Sequence, residues 1–191
     1  MLHSLRYWDQ DLLVWLNNLG NEPYDAFWIF VTQIESWTPL FLFFIGVLLY
    51  YYKGKKGLVL LLGGIITFLI TLAITDFTKT YAARIRPNNI ESLSSVIRVL
   101  KNPTSYSFFS GHASSSFCIV VFLVLCIRKL NPWVYLAFIW PLLFAGSRIY
   151  IGVHYPSDII VGALVGSLIA ILGHGGAAYL SKKYSKQLSS M

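Results

Sequence analysis

Runs of apolar residues long enough to cross a lipid bilayer dominate this chain and leave few folds open to it. Leu58 to Thr75 is eighteen residues without a charge, and Ile159 to Leu180 is twenty-two with a lone His174. Ala113 to Ile127 is a third run, bounded by Gly111 and His112 before it and by Arg128 and Lys129 after it. Pro132 to Gly146 opens on a proline, which suits a first helical turn, and Pro141 should kink it. A fifth run ends at Tyr52 and begins between Ala26 and Trp37, where Glu35, Ser36 and Pro39 interrupt it. Crossing the hydrocarbon core takes about 20 mostly apolar residues per helix. Composition agrees: charged residues are 12% of the chain, where a soluble domain carries about 25%. That is too little polar side chain to cover a water-soluble globule, and the same figures exclude disorder, coiled coil and a disulfide scaffold. The expected fold is an all-α integral membrane protein, one domain over residues 1–191, with a bundle of five to six transmembrane helices.

The N-terminal segment differs. Leu5, Trp8, Leu12, Trp15, Leu16 and Leu19 recur at spacings of three and four, with Asp9, Asp11, Asn17 and Asn18 between them. The pattern predicts an amphipathic helix within residues 1–22, too polar to span and lying in the interface. A sixth, poorly marked crossing within residues 5–36 is the alternative. Lys53, Lys55 and Lys56, the pair Arg128 and Lys129, and the tail lysines 182, 183 and 186 all fall on one side if five helices cross. The positive-inside rule makes that side cytoplasmic. Residues 76–112 and 147–158 then face the other side. Cys118 and Cys126 lie eight apart in one apolar run, too far along a helix to bridge, and read as small core residues.

Polar chemistry gathers on that far side. Lys79 and Arg86, seven apart and followed by Pro87, would share a helix face two turns along. Arg84 between them is read as snorkelling toward lipid headgroups. Ser110-Gly111-His112 stands directly before an apolar helix, where small residues leave backbone N–H groups free for an anion. Ser147-Arg148, His154 and Asp158 form a third cluster. Asp158 suits a helix cap, yet its spacing from His154 also allows a histidine–carboxylate bond that fixes the tautomer. No cluster of acids accompanies these groups to hold a metal. Basic clamps with anion-binding N–H groups are what phosphoryl transfer demands, and histidine can serve as its covalent nucleophile.

Lys79-x6-Arg86-Pro87, Ser110-Gly111-His112 and Ser147-Arg148-x5-His154-x3-Asp158 together resemble the three-part signature of the type 2 phosphatidic acid phosphatase superfamily, which includes membrane lipid phosphatases. One departure is Phe109, where the family usually has proline. The resemblance implies that His154 attacks phosphorus to form a phosphohistidine and that Asp158 orients it. His112 would protonate the leaving oxygen and later activate water. Lys79, Arg86 and Arg148 would bind the phosphoryl oxygens, assisted by Ser110 and the Gly111 N–H. No metal or other cofactor is implied.

The competing reading is a non-enzymatic lipid-anion carrier using the same basic site. A carrier needs a pathway open to both faces, with internal repeats and polar groups at the midplane; the spans here are nearly free of charge and show no repeat, which favours the enzyme. Gly162 and Gly166 read as a close helix contact. Residues 88–109 form the only long loop, and Ile90, Leu93, Val96, Ile97 and Leu100 recur at helical spacing. We read this loop as an amphipathic lid on the extracytoplasmic side, lending Arg98 or Lys101 to a headgroup. The expected partners are a lipid phosphate substrate and membrane lipids, with no nucleic acid. The resemblance extends to bacterial inner-membrane enzymes acting on undecaprenyl pyrophosphate, phosphatidylglycerophosphate or lipid A phosphate.

Overall fold

The computed structural model describes residues 2–188, with side chains from 6 to 183; the side chains of Leu5 and Lys186, used above, lie outside the described residues. Regular structure among the described residues is helical throughout: α1 (Leu2–Asn18), α2 (Asp25–Val31), α3 (Thr38–Tyr51), α4 (Gly54–Ala82), α5 (Glu91–Ser94), α6 (Gly111–Ile127), α7 (Ile139–Tyr150) and α8 (Pro156–Leu188). Among the described residues, three segments are long and apolar enough to cross a membrane: Gly54–Asn89, Pro132–Tyr150 and Pro156–Lys183. The pair Glu22–Val31 and Glu35–Tyr51 passes the same test together, but it is bent by 69° at residues 32–34. The polar break noted at Glu35, Ser36 and Pro39 is therefore a real corner.

The central helix is α6. α6 has seventeen residues, eleven of them buried, and packs on α3, α4, α7 and α8. A helix apolar on all sides belongs inside a bundle. Its tightest neighbour is α8, which runs parallel to it. A Cβ on Gly166 would lie 2.0 Å from the Ser114 carbonyl oxygen, and one on Gly162 would lie 2.7 Å from that of Ser110. Only the missing side chain lets the two backbones meet. This contact places the start of α8, with Asp158, beside the start of α6, and the Ser110 N–H donates to the Asp158 carbonyl at 3.0 Å.

The charge-free run of α4 has two faces. Leu58, Leu62, Ile66 and Leu69 are exposed, as a lipid-facing surface requires, while Thr67, Thr71 and Thr75 are buried. Each threonine hydroxyl donates to the carbonyl four residues back, at 2.6, 2.9 and 2.7 Å. The polar stripe thus satisfies itself and still packs against α6 and α8.

Two expectations change, and the faces of α1 become defined. α4 ends at Ala82, where Ala83 takes a left-handed conformation (φ 45°), so Lys79 and Arg86 do not share a helix face. Residues 132–138 form a 3-10 helix and α-helix starts only at Ile139. Pro141 cannot donate to the carbonyl four residues earlier, which favours the tighter winding before it. In α1 the apolar stripe points outward, Trp8, Trp15 and Leu19 all being exposed. The side turned to the protein is Asp9, Leu13 and Asn17, each almost wholly buried.

Candidate active site

The three sequence clusters converge at one end of the bundle. His154 lies in the short turn between α7 and α8 and is 1% exposed. Its Nδ1–H donates to Asp158 Oδ2 at 3.2 Å, and the Tyr155 N–H donates to the same oxygen at 3.1 Å. This leaves Nε2 with its lone pair, which accepts from Arg86 Nη1 at 2.8 Å. Burial, then the positive charge of Arg86, Arg148 and Lys79, holds His154 well below the ordinary histidine value. A neutral ring with a bare Nε2 is the nucleophilic form.

Arg86 is anchored as well as charged. Its Nε donates to the Ser105 carbonyl at 2.6 Å, Nη2 to Ser105 Oγ at 3.1 Å, and Nη1 also to the Val153 carbonyl at 2.9 Å. Lys79 reaches the same place from the end of α4: its Nζ is 3.6 Å from where a Cβ on Gly111 would stand. Arg148, at the end of α7, is 7% exposed. Its Nη1 donates to Thr32 Oγ1 at 2.8 Å, while its buried Nε has no hydrogen-bond partner among the described residues. A buried guanidinium N–H left open beside two other cations is a fitting place for an anionic oxygen.

His112 stands at the start of α6, stacked on Phe144 with ring centroids 4.4 Å apart. Its Nε2 is 3.1 Å from the Thr32 carbonyl. A carbonyl only accepts, so Nε2 carries the hydrogen and Nδ1 is the bare nitrogen. Ser110 is fully buried and caps α6, its Oγ accepting from the Ala113 N–H at 3.4 Å. Its Oγ thus serves the first turn as an acceptor, and Gly111 brings that turn beside Lys79.

A cavity of about 290 Å³ opens at this end, lined by Thr32, Gln33, Glu35, Lys101, His112 and Arg148 among others. His154 and Arg86 are not among the residues that line it. It shares Ile34, Ser115 and Phe144 with an apolar groove of about 420 Å³ that runs between α3, α4 and α6 past Phe41, Leu48 and Leu60. A larger apolar cavity of about 730 Å³, beside Trp37, Tyr51 and Trp133, lies away from the catalytic groups.

The loop before α6 is only briefly helical. Of residues 88–109, Glu91–Ser94 form one turn, and Leu93 and Ile97 are buried with Leu13 and Tyr155. Arg98 does not reach the site: Nη2 grips both oxygens of Asp25 at 2.6 Å, and its carbonyl and N–H are held by Asn17. The bonds to Tyr150 and Asp25 raise the Arg98 pKa above the ordinary arginine value. Lys101, by contrast, lines the cavity.

Sequence reasoning missed several participants. Thr32 holds both His112 and Arg148 from the corner between α2 and α3. Ser105 anchors Arg86. Arg84 was read as snorkelling, and that is corrected: its Nη1 donates to Asp158 Oδ1 at 2.8 Å and its Nη2 to Asp9 Oδ2 at 2.6 Å. No spacing could have shown these contacts, since the partners are 19 to 116 positions apart. A buried Asp9 on an otherwise amphipathic helix was the one available hint.

Comparison with known proteins gives the family. Residues 56–181 match the PAP2 superfamily. The chain is 27% identical to a lipid A 4'-phosphatase of Bacteroides thetaiotaomicron, over all of this chain and 84% of that one. It is 32% identical to an undecaprenyl-diphosphatase of Sulfolobus acidocaldarius, over 84% of this chain and 67% of that one. The fold matches a PAP2-type phosphatidylglycerolphosphate phosphatase from Bacillus subtilis with a TM-score of 0.72, at 22% identity over 92% of this chain and 87% of that one. With its three motifs folded to one end of a membrane bundle, and with residues 56–181 matching, the chain belongs to the PAP2 superfamily.

Proposed function

We propose that this membrane phosphatase hydrolyses a phosphomonoester or diphosphate carried by a lipid, without a metal, through a phosphohistidine on His154. The observation that carries the reading is the arrangement around His154. A neutral, carboxylate-oriented imidazole points its bare Nε2 at a guanidinium, with a second guanidinium and an ammonium close by. As the phosphoryl group enters, its oxygens take the bonds of Arg86, Arg148 and Lys79, and Nε2 is released toward phosphorus. The P–N bond forms as the P–O bond to the leaving group breaks. His112 Nδ1 takes the proton carried in by the phosphate monoanion and passes it to that oxygen, then takes one from the water that cleaves the P–N bond, and inorganic phosphate leaves. Ser110 and Gly111 hold the first turn of α6 toward the phosphoryl oxygens, and Asp158 stabilises the charge developing on His154.

The lipid nature of the substrate is supported by two adjacent cavities. A polar one holds His112, Arg148 and Lys101, and an apolar one leads from it along α3 and α4. Arg98 being occupied, Lys101 is the lid cation left for a headgroup. The relatives name lipid A 4'-phosphate and undecaprenyl diphosphate as candidates, and phosphatidylglycerophosphate joins them from the sequence resemblance. The basic segments 53–56, 128–129 and 182–183 gather at the opposite end, where Gly63 of α4 meets Ala177 of α8. With five crossings, α6 included, that end is cytoplasmic and the site extracytoplasmic, in a bacterial inner membrane.

The test is phosphate release from a panel of these three lipids by the purified protein. Activity should persist in chelator and be inhibited by vanadate. Loss of activity in chelator with recovery on adding magnesium would refute the mechanism.

A further inference from the structure

α1 turns its polar side inward, and the carboxylate of Asp9, 4% exposed, ends at Arg84 and Ser157. A buried carboxylate is costly unless its partners are well placed. Here Oδ2 accepts from Arg84 Nη2, and from Ser157 Oγ; Oδ1 accepts from the Ser157 N–H at 2.9 Å. On its other side Arg84 donates from Nη1 to Asp158 Oδ1 and to Ser157 Oγ, both at 2.8 Å, and its guanidinium lies over the Tyr155 ring at 3.8 Å. Asp158 Oδ2 serves His154 and the Tyr155 N–H. Without Arg84, the second oxygen of Asp158 would lose its charged donor.

We propose that Arg84 and Asp9 are positioning residues for the nucleophile: Asp9 sets Arg84, Arg84 sets the plane and charge of Asp158, and Asp158 aligns His154. The N-terminal helix is then a working part of the catalytic centre. This rests on the hydrolase reading above. Arg84 touches none of the phosphate-binding groups through any bond found here, so its loss should slow the chemistry and leave anion binding alone.

The experiment uses the full chain in detergent, comparing wild type with Arg84→Gln, Arg84→Lys, Asp9→Asn and the double variant Asp9→Asn/Arg84→Gln. A hydrogen bond to a charged group contributes about 1.5–3 kcal/mol, which is roughly a 10- to 100-fold loss of kcat for Arg84→Gln. KM, and the inhibition constant of inorganic phosphate, should stay within about twofold of wild type, as expected when only transition-state interactions are lost. Arg84→Lys should recover part of the loss. Asp9→Asn should reduce kcat alone, yet add nothing in the Arg84→Gln background, because it acts through Arg84. Unchanged kcat in both single variants would overturn the proposal. So would a phosphate inhibition constant that rises with the loss of kcat, since Arg84 would then be an anion ligand, or additive effects in the double variant. Should Arg84→Gln lose its folded helical signal, Asp9→Asn and Arg84→Lys decide by the same kcat and phosphate criteria. An inactive wild type would instead defeat the hydrolase reading, and this inference with it.

Discussion

The two histidines of the site expose opposite ring nitrogens. His154 gives its Nδ1–H to Asp158 and keeps Nε2 bare, whereas His112 gives Nε2–H to Thr32 and keeps Nδ1 bare. Their variants should therefore fail differently. His154→Ala should abolish hydrolysis of every substrate and leave no acid-labile phosphate on the quenched protein. General acid catalysis contributes about 10²–10⁴-fold, so His112→Ala should lose that much on an alkyl lipid phosphate. It should still form phosphohistidine from an aryl phosphate whose leaving group departs unprotonated. Trapped phosphate on His154→Ala would reverse the assignment. The His112→Ala variant also isolates the ionisation of His154. Its protonation is disfavoured by burial and neighbouring cations, so its charge appears only far below the usual value of 6.5. The rate of phosphoenzyme formation by His112→Ala should stay level as pH falls through 6.5, and a half-maximal rate near 6.5 would contradict the placement. The chemical residues were legible because holding and cleaving a phosphate requires Lys, Arg and His at close spacing beside small residues. Thr32, Ser105 and Arg84 were not, because a threonine carbonyl or an arginine bridge carries no local pattern.

At the scale of elements, the helices of the bundle core followed from uninterrupted apolar runs, while their ends and corners did not. Hydropathy does not mark the end of α4 at Ala82; it shows the 69° corner before α3 only as a polar break, and the 3-10 stretch before α7 goes with Pro141. The loop before α6 gave the least away. Its helical spacing yields a single turn, because Leu93 and Ile97 pack against Leu13 and Tyr155. Asn17 of α1 is the latch: its amide donates to the carbonyls of Arg98, Ile149 and Tyr150 at 3.1, 3.0 and 2.8 Å, and its Oδ1 accepts from the Arg98 N–H at 2.6 Å. Each buried backbone group left unsatisfied costs about 1–3 kcal/mol. Asn17→Ala should therefore loosen the loop without unfolding the bundle. Hydrogen exchange at residues 96–100 should accelerate by at least about tenfold, while α6 and α8 remain protected. Unchanged protection there would show that the loop is held by its apolar residues alone.

For the molecule as a whole, orientation and lipid access are the properties to measure. Cysteines placed in the 53–56 loop should be shielded from an impermeant reagent in intact cells, and one at position 95 should label; the reverse result would place the site on the cytoplasmic side. All-α membrane architecture was legible because lipid demands long apolar helices. The two adjacent cavities were not, because gaps between packed helices carry no local pattern. The lining they share at Ile34, Ser115 and Phe144 has a kinetic consequence. A lipid tail can slide from the leaflet into the groove beside α3 while its phosphate reaches the basic cage, so it never passes through water, where each exposed CH₂ costs about 0.8 kcal/mol. The enzyme thus meets its substrate as a two-dimensional solute. Its rate should follow the mole fraction of the phospholipid in the bilayer or micelle, and diluting the suspension at fixed mole fraction should leave turnover unchanged.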